Sequence, residues 1–543
     1  MLSTMDRNNK KRIKMRMIIF LSLILLTGVT IRAYDIGNTL YNNIQLFSNI
    51  IKQIQLDYVD EKDPQELIEN AIRGMIATLD PHTTYLTADQ FDRWSKAYEG
   101  YSGIGITYDV IRDRITVMSI FPDGPSDKAG LLVGDHIISI NGKSVIGINR
   151  EEAPLILMGP KGTKVDLTIE RKGLSETKDI AVIRDEVHLN SITYIFMIQP
   201  GVGYIRINRF SETTGDELEK GLIKLEAQGM IQLILDLRGN GGGYLESAVE
   251  VVDKFLPGGR RIVYTKGRTE SSFREFFSTN QTTHTFYPVI VLIDRTSASA
   301  SEIVAGALQD WDRALIIGET SFGKGLVQTQ YQFNDGSALL MTTARYYTPS
   351  NRLIQRPYED KSLEDYYNEV TDDKIRTDWE KDPSRPTVKT QILKRTVYGG
   401  GGITPDIFLT AKPDTLNTIV LKMLSSPEQF FYTFIEDYMK DHSELTEKDY
   451  NYFLRNYIPN GNTLQLFIKH LREHGFIVTN EEFVSSKKDI EFVLKQKIAF
   501  KIWGDEASYK VQLLRDRQLV ETLNYLSQSD HLLAQAYGKN VSH

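Results

Sequence analysis

Cysteine is absent from all 543 residues of the chain, and this absence excludes several kinds of chemistry. No disulfide, thiol nucleophile or cysteine-ligated zinc site can form. An excess of basic residues is also lacking, because 64 Lys and Arg stand against 71 Asp and Glu, for a formal net charge of −7. Nucleic-acid-binding proteins present a basic surface, so we expect no nucleic acid among the partners.

The N-terminus has the layout of an export signal. Its cations are Arg7, Lys10, Lys11, Arg12, Lys14 and Arg16. The apolar stretch 17–31 follows them, which is the order of a signal peptide or a signal-anchor in residues 1–34. No Ala-x-Ala site follows, so we favour an uncleaved anchor in the inner membrane with its basic side in the cytoplasm; a cleaved signal peptide is the alternative. Either way we expect a periplasmic or otherwise extracytoplasmic protein.

The length predicts about three or four domains, and the texture of the sequence divides them. Residues 35–96 have apolar residues at helical spacing, and residues 97–185 read as short strands with glycine turns. Apolar strands alternate with helices in residues 186–425, which favours an α/β core. A charged stretch at about 356–398 reads as a solvated insertion in that core, and residues 426–543 as an added helical region.

The strand-rich segment has a distinctive set of glycine-containing turns. Its turns include Ala129-Gly130-Leu131 and Asn141-Gly142, and it opens with Gly103, Ile104, Gly105 and Ile106. The segment resembles a PDZ domain, and these four residues occupy the position of its carboxylate-binding loop. Such a loop, leading into an edge strand, captures a C-terminal carboxylate and pairs with an extended peptide.

Three alternating serines and one lysine are the candidate chemical groups of the core. Ser297, Ser299 and Ser301 follow an apolar run at 289–294, and Lys324 follows a second run at 315–317. A serine hydroxyl becomes a nucleophile when a base takes its proton, and a neutral lysine can be that base. Residue chemistry alone does not choose among the serines, and helix capping by a hydroxyl beside an ordinary solvated lysine is the alternative.

A glycine loop follows another predicted strand, at 231–237. Arg238 is followed by Gly239, Asn240 and three glycines that end at Gly243. Glycine adopts backbone conformations that other residues avoid, so amides here can point into a cavity and form an oxyanion hole. A plain strand-to-helix turn is the alternative.

Together these motifs make the chain similar to the carboxyl-terminal processing peptidases, or tail-specific proteases. The matching strings, in the order of that family, are the PDZ-like segment, Leu235 to Asn240, Ser297 to Glu302, Gly318 to Gly325, Thr343 to Ser350 and Gly401 to Asp406. The resemblance implies a multidomain α+β protein with an αβ spiral (ClpP/crotonase-like) protease core. It also implies a serine endopeptidase with a Ser/Lys dyad, and we expect no cofactor or metal.

The resemblance also implies the roles of individual residues. The family's nucleophile lies 25 positions before its lysine, which selects Ser299 as nucleophile and Lys324 as general base. The family's third residue falls on Gln328, which would orient the lysine. The amide of Ala300, with that of Gly242 or Gly243, would form the oxyanion hole.

Two residues depart from the family pattern. Met158 stands where many members carry an arginine that couples the PDZ domain to the protease, a departure that bears on activation by a PDZ ligand. Asn351 replaces a glycine in a turn, which asparagine tolerates. We expect protein or peptide substrates held by their C-terminal tails, and possible homo-oligomers through the terminal helices.

Three rival interpretations need a test. His470, Glu473 and His474 form a His-x-x-Glu-His pattern of zinc metallopeptidases. A Ser-His-Asp triad would use His284 or His188. The third rival is a non-catalytic PDZ scaffold on an inactive protease fold.

Overall fold

The computed structural model describes residues 39–99, 101–121, 124–149, 152–171, 174–187, 190–279, 284, 287–359, 361–410 and 415–538. The predicted signal segment 1–34 and His188 lie outside these residues. In the part of the chain so described, no helix combines the length and apolar character needed to cross a membrane. The chain forms two compact units, one ending at Tyr85 and the other beginning at Leu86.

The described part of the first unit is largely helical. Its helices span residues 39–57 and Pro64–Ile76. Asp63 caps the second helix by accepting the N–H of Gln65 at 2.9 Å, and Pro64 stands in the first turn, where a missing N–H costs nothing. A short strand, Thr84–Leu86, runs across the boundary between the units.

The second unit begins with the helix Ala88–Glu99 and an antiparallel sheet. The sheet consists, in spatial order, of Ile106–Ile111, Arg114–Ile120, His136–Ile140, Lys164–Glu170 and Lys178–Ile183, with Lys143–Ser144 beside His136–Ile140. Helices Pro125–Lys128 and Ala153–Leu157 accompany it, and Tyr101–Gly103 pairs with Asp185–Val187. Alternate residues Val165, Leu167 and Ile169 are at most 1% exposed, as expected when one face of a strand covers a core.

A central six-stranded sheet forms the core of the unit. Its strands, in spatial order, are Ile192–Gln199, Val202–Ile207, Gln232–Asp236, Val289–Ile293, Ala314–Gly318 and Ile407–Phe408. The first pair is antiparallel and the others are parallel. All five residues of Val289–Ile293 are buried, because helices cover both faces of the sheet.

The two faces of the central sheet have different covers. Leu233, Val291 and their neighbours pack against the helices Thr214–Ala227, Leu245–Asp253 and Ala300–Asp310. On the opposite face, Ile234, Ile290 and Leu292 pack with Leu513, Leu519 and Leu532 from the end of the chain. The last helices therefore complete the core of the central sheet.

A second sheet is antiparallel, and its strands are interspersed along the chain with those of the central sheet. It contains Leu326–Gln332, Ala338–Tyr347, Arg261–Gly267 and Arg274–Phe277. A 3₁₀ turn, Glu270–Ser272, joins the last two.

The charged stretch 356–398 folds into helices Leu363–Thr371 and Asp373–Glu380 and the paired strands Thr387–Lys389 and Thr396–Tyr398. We expected a solvated insertion, which is wrong for its inner side. Tyr366 and Thr390 are fully buried and Val397 is 3% exposed. The first helix packs Tyr366 and Val370 inward, and Arg356 and Arg385 are buried as well, so part of the charge of the stretch also lies inside.

The C-terminal region consists of helices. Its helices are Thr418–Leu424, Phe430–Asp441, Tyr450–Asn456, Gly461–Glu473, Asn480–Trp503, Asp505–Leu513, Arg517–Thr522 and Leu526–Tyr537, with 3₁₀ turns at Ser443–Glu447 and Leu523–Tyr525. The helices up to residue 511 form a separate hydrophobic core around Phe434, Phe467 and Leu494. The expected multidomain α+β architecture is confirmed.

Candidate active site

The three alternating serines differ in exposure and in partners. Ser297 and Ser301 are fully buried. The Ser297 hydroxyl donates to the carbonyl of Leu237 at 2.8 Å, and that of Ser301 donates to the carbonyl of Asn240 at 2.9 Å. Ser299 alone of the three is partly exposed. The outer two serines therefore fasten the turn to the glycine loop, and the middle one faces accessible space.

Ser299 lies at a strained turn between the strand Val289–Ile293 and the helix Ala300–Asp310. Its φ of 54° and ψ of −112° are unusual for a residue with a side chain. Strain of this kind collects at functional sites, where the surrounding structure holds it in place. The N–H of Ala300, at the first position of the helix, has no hydrogen-bond partner among the residues described. It is available to an anion, with the positive end of the helix behind it.

The glycine loop, Arg238–Gly243, packs directly against this turn. A Cβ on Gly242 would lie 2.7 Å from the Cβ of Ser299 and 3.0 Å from the nitrogen of Ala300. Gly242 has a φ of 105°, and its N–H donates to Oδ1 of Asn240 at 2.8 Å. Gly243 has a φ of 148°, and its N–H has no partner in the described chain. Glycine is required here by both conformation and space.

Lys324 and Gln328 are brought together where the lysine loop, Glu319–Gly325, enters the strand Leu326–Gln332. The Nζ of Lys324 donates to Oε1 of Gln328 at 2.7 Å. The pairing of this strand with Ala338–Tyr347 shifts by one residue between Val327 and Gln328. Such a bulge changes the direction in which following side chains point. No hydrogen bond joins the Ser299 hydroxyl to the Lys324 amine in the described structure.

A buried tyrosine connects the serine and the lysine through their backbones. Tyr346 is 1% exposed, and its hydroxyl lies 3.0 Å from the carbonyl of Ser299 and 2.5 Å from that of Lys324. Because a phenol has one hydrogen, the two carbonyls share a single donor. Burial raises the pKa of Tyr346 well above its ordinary value, which keeps this donor protonated.

Glu302 is a second link, and it is fully buried. Its Oε2 accepts the N–H of Ser299 at 2.8 Å and that of Lys324 at 2.9 Å. Its Oε1 accepts the Ser321 hydroxyl at 2.5 Å and the N–H of Gly323 at 2.7 Å. Burial raises the pKa of Glu302 to about 7, although these four donors favour the charged form and oppose the rise.

Sequence reasoning missed both links. Glu302 stands three residues after Ser299, the spacing of a capping box, and that signal was available. Tyr346 lies in a string that the family resemblance identified, but nothing in the string shows which backbone groups the hydroxyl meets.

The inserted segment covers the lysine loop from outside. The guanidinium of Arg356 lies 4.9 Å from the ring centre of Phe322 and 4.1 Å from that of Tyr366. The backbone N–H of Arg356 donates to the carbonyl of Gly323 at 2.9 Å, and the guanidinium of Arg376 donates to the carbonyl of Thr320. These contacts hold the loop that carries Lys324.

The predicted carboxylate-binding loop, Gly103–Ile106, is buried. The carbonyls of Ile104 and Gly105 accept the N–H groups of Ser126 at 2.9 Å and Phe121 at 3.1 Å. The N–H groups of Ile104 and Gly105 have no partner among residues the structure describes. Adjacent free donors are what a terminal carboxylate requires.

The rival residues do not assemble a site. His470 is 8% exposed and lies 3.1 Å from the Thr433 hydroxyl, and burial lowers its pKa to about 4. Nδ1 of His474 lies 2.9 Å from the carbonyl of His470. Across the described ranges, no group of three or more His, Cys, Asp or Glu side chains is arranged to hold a metal. His284 lies between Glu226 and Glu219, at 2.6 and 3.3 Å.

An α+β core with a strained serine at a helix N-terminus, a lysine–glutamine pair and an adjoining PDZ-like sheet is typical of serine peptidases that carry a peptide-binding module. The model of peptidase family S41 matches residues 201–360, and the model of the PDZ domain matches residues 102–182. The PDZ match covers the antiparallel sheet that opens the second unit, and the S41 match covers strands of the central sheet and of the second antiparallel sheet.

Curated relatives agree with the family models. The carboxy-terminal-processing protease of Bartonella bacilliformis is 40% identical over 320 residues, which cover 58% of this chain and 73% of that protein. The carboxy-terminal processing protease CtpA of Bacillus subtilis is 32% identical over 374 residues, 66% of this chain and 79% of that one. Among solved structures, the photosystem II D1 C-terminal processing protease is 26% identical, with a TM-score of 0.34, over 71% of this chain and 97% of its own.

The chain therefore belongs to peptidase family S41 and is a serine peptidase with a PDZ domain. The resemblance inferred from the sequence is confirmed, and the zinc peptidase and inactive scaffold are not supported.

Proposed function

We propose that the chain is a carboxyl-terminal processing endopeptidase in which Ser299 is the nucleophile and Lys324 the general base. The observation that carries this assignment is the different environment of the three serines. Ser297 and Ser301 are buried and bonded to backbone carbonyls, whereas Ser299 is partly exposed beside the glycine loop.

The geometry supports a two-step acyl transfer. Lys324, in its neutral form, takes the proton of the Ser299 hydroxyl as the oxygen attacks the peptide carbonyl. Gln328, through its 2.7 Å hydrogen bond, orients the amine. Lys324 then gives the proton to the departing amine, and an acyl-enzyme remains. Water, deprotonated by the same lysine, releases the acid product and returns Ser299.

The tetrahedral intermediate of each step carries a negative oxygen. The amides of Ala300 and Gly243 are the donors with no other partner in the described residues, so we assign the oxyanion hole to them. Gly242 contributes by its close approach, since its own N–H is taken by Asn240. Loss of one oxyanion donor typically lowers turnover by about 10²–10³-fold.

The PDZ domain would bind the C-terminal tail of the substrate. The free amides of Ile104 and Gly105 are suited to a C-terminal carboxylate, and the following strand Ile106–Ile111 to pairing with an extended peptide. A substrate ending in a carboxylate should be cleaved faster than the same substrate ending in an amide. Equal rates for the two would exclude this part of the proposal.

The decisive experiment is cleavage of an unfolded protein by the wild type, Ser299→Ala and Lys324→Ala, with and without a strong chelator. We expect both variants to be inactive and the wild type to resist chelation. Cleavage that survives in Ser299→Ala, or that the chelator abolishes, would overturn the assignment. Ser271→Ala is the control, because it removes an exposed hydroxyl that is bonded to that of Thr269 at 3.1 Å and that lies outside the proposed site.

We infer the cellular location from the N-terminal sequence. We propose that residues 17–31 direct export and anchor the chain, so that the peptidase lies outside the cytoplasm. Protease digestion of intact spheroplasts should then remove the protein, and protection from digestion would contradict the proposal. The domain boundaries and the self-association expected from the sequence stay predictions.

A further inference from the structure

Two residues of the C-terminal helical region, Asp516 and Gln518, contact Arg238 at the start of the glycine loop. Arg238 is 9% exposed. Its Nε and Nη2 donate to Asp236 at 2.6–3.1 Å. Its Nη1 and Nη2 donate to Asp516 at 3.1 and 2.7 Å, and Nη1 also donates to Oε1 of Gln518 at 2.9 Å. A guanidinium has five N–H groups, and these contacts engage all of them.

Asp516 and Gln518 are themselves held in place. Asp516 caps the helix Arg517–Thr522 and accepts the N–H of Leu519 at 2.9 Å. Gln518 is 3% exposed and donates to the carbonyl of Leu409 at 2.7 Å. Leu519 belongs to the hydrophobic cluster on the second face of the central sheet. The two polar side chains are therefore presented to Arg238 from a packed helix.

The backbone of Arg238 continues directly into the candidate oxyanion hole. Its N–H donates to Asp236 at 2.9 Å and its carbonyl accepts from Arg206 at 3.1 Å. Two residues later, the carbonyl of Asn240 accepts the N–H of Ala298 at 3.0 Å. Gly242 then meets Ser299. A shift of Arg238 would be transmitted to the amide of Gly243, because the intervening loop is short and fastened at each step.

We propose that Asp516 and Gln518 are positioning residues for the peptidase reaction, which hold the oxyanion loop in its working geometry through Arg238. The inference rests on the proposed function, since it takes Gly243 as an oxyanion donor. It assigns a catalytic purpose to the end of the C-terminal helical region. That region then contributes to turnover in addition to covering the central sheet.

Asp516→Asn in the full-length protein is the primary test. Asparagine caps a helix about as well as aspartate, so the substitution removes the negative charge opposite Arg238 and leaves the helix start intact. We expect kcat to fall by about 10–100-fold, the cost of a small misplacement in an active site, with KM unchanged. Asp516→Glu, which restores the charge, should recover most of kcat.

Asp530→Asn is the matched control. Asp530 accepts the side-chain N–H of Gln232 at 2.7 Å across the same interface, but it does not contact the glycine loop. It should keep the wild-type kcat. Equal kcat values for the Asp516 and Asp530 variants would overturn the inference, because the interface would then contribute only to stability.

A double-mutant cycle tests the route through Arg238. In an Arg238→Lys background, Asp516→Asn should cause little further loss of kcat, whereas full additivity would mean that Asp516 does not act through Arg238.

If Asp516→Asn melts below the assay temperature, Gln518→Met carries the same test with Asp516 left in place. Ser299→Ala, measured in the same series, separates the two failures. Residual cleavage by that variant sinks the proposed function, and an inactive Ser299→Ala with a fully active Asp516→Asn sinks only this inference.

Discussion

The carboxylate of Glu302 accepts the backbone N–H of Lys324 at 2.9 Å, across twenty-two positions of sequence. The same oxygen accepts the N–H of Ser299 at 2.8 Å. One buried group thus fixes the distance between the backbones of the proposed nucleophile and the proposed base. The side chains of Ser299 and Lys324 can be positioned for the reaction only if their backbones are correctly placed. Substitution of Glu302 therefore tests the proposed mechanism directly.

Glu302→Gln changes the size of the side chain very little, yet it should strongly reduce both stability and cleavage. Three of the four donors around Glu302 are backbone N–H groups, which cannot reverse. An amide offers one oxygen and one NH₂, so at least one backbone N–H would face another donor. Each unsatisfied buried group costs about 1–3 kcal/mol. We expect a loss of at least about 2 kcal/mol in unfolding free energy and a loss of cleavage.

Glu217→Gln is the control for that prediction. Glu217 accepts the N–H of Ile192 at 2.9 Å and the hydroxyl of Thr213 at 2.5 Å, away from the proposed site. Glutamine can still serve both with its oxygen and a reversed hydroxyl. Chemical denaturation and cleavage rates of the two variants should differ clearly. Similar values for the two would show that Glu302 has no special role.

The raised pKa of Glu302 predicts a particular dependence of stability on pH. Its folded pKa of about 7 lies above the ordinary 4.5, so the folded chain binds the proton more tightly. The contribution of this group to stability is complete below pH 4.5 and is lost as pH rises through 7. At 1.36 kcal/mol per pKa unit, the loss is on the order of 3 kcal/mol.

The measurement is the unfolding free energy of the wild type and Glu302→Gln between pH 5 and pH 8. The wild type should lose stability relative to the variant as pH rises, while its cleavage rate increases because the four donors need an ionised carboxylate. A stability difference that stays constant across this range would contradict the prediction.

Tyr346→Phe should uncouple the two backbones with little change in packing. The ring stays in its buried place, and only the hydroxyl between the carbonyls of Ser299 and Lys324 is lost. We expect a loss of about 1 kcal/mol in stability and a fall of up to about 10²-fold in kcat from misplacement. Tyr438→Phe removes a hydroxyl bonded to Thr463 at 3.0 Å in the helical core, and its kcat should match the wild type.

Local pattern was enough to predict many elements of the fold. The apolar runs at 231–237, 289–294 and 315–317 correspond to the strands Gln232–Asp236, Val289–Ile293 and Ala314–Gly318. A strand that is covered on both faces has a continuous apolar sequence, so these runs record the structure directly.

Contacts between distant segments could not be predicted in this way. The apolar run at Val289–Ile293 shows that both faces of the strand are covered, but not that Leu519 and Leu532 cover one of them. The position of Gln328 depends on a strand bulge. The role of Glu302 depends on its contacts with the lysine loop, which is distant in sequence. Family resemblance supplied the candidate residues, and only the fold shows what holds them.

Gly242→Ala is the sharpest test of the glycine loop. At a φ of 105°, a Cβ would lie 2.7 Å from the Cβ of Ser299 and 2.8 Å from the carbonyl of Ala298. Both neighbours are held by the turn, so the loop must move away and take the Gly243 amide with it. We expect turnover to fall by about 10²-fold or more, as when an oxyanion donor is removed, and the melting temperature to fall as well, because alanine is strained at this φ. Gly241→Ala is the neighbouring control, because its Cβ would meet nothing within 4 Å. If both variants cleave at the same rate, the glycine loop does not set the geometry of the reaction.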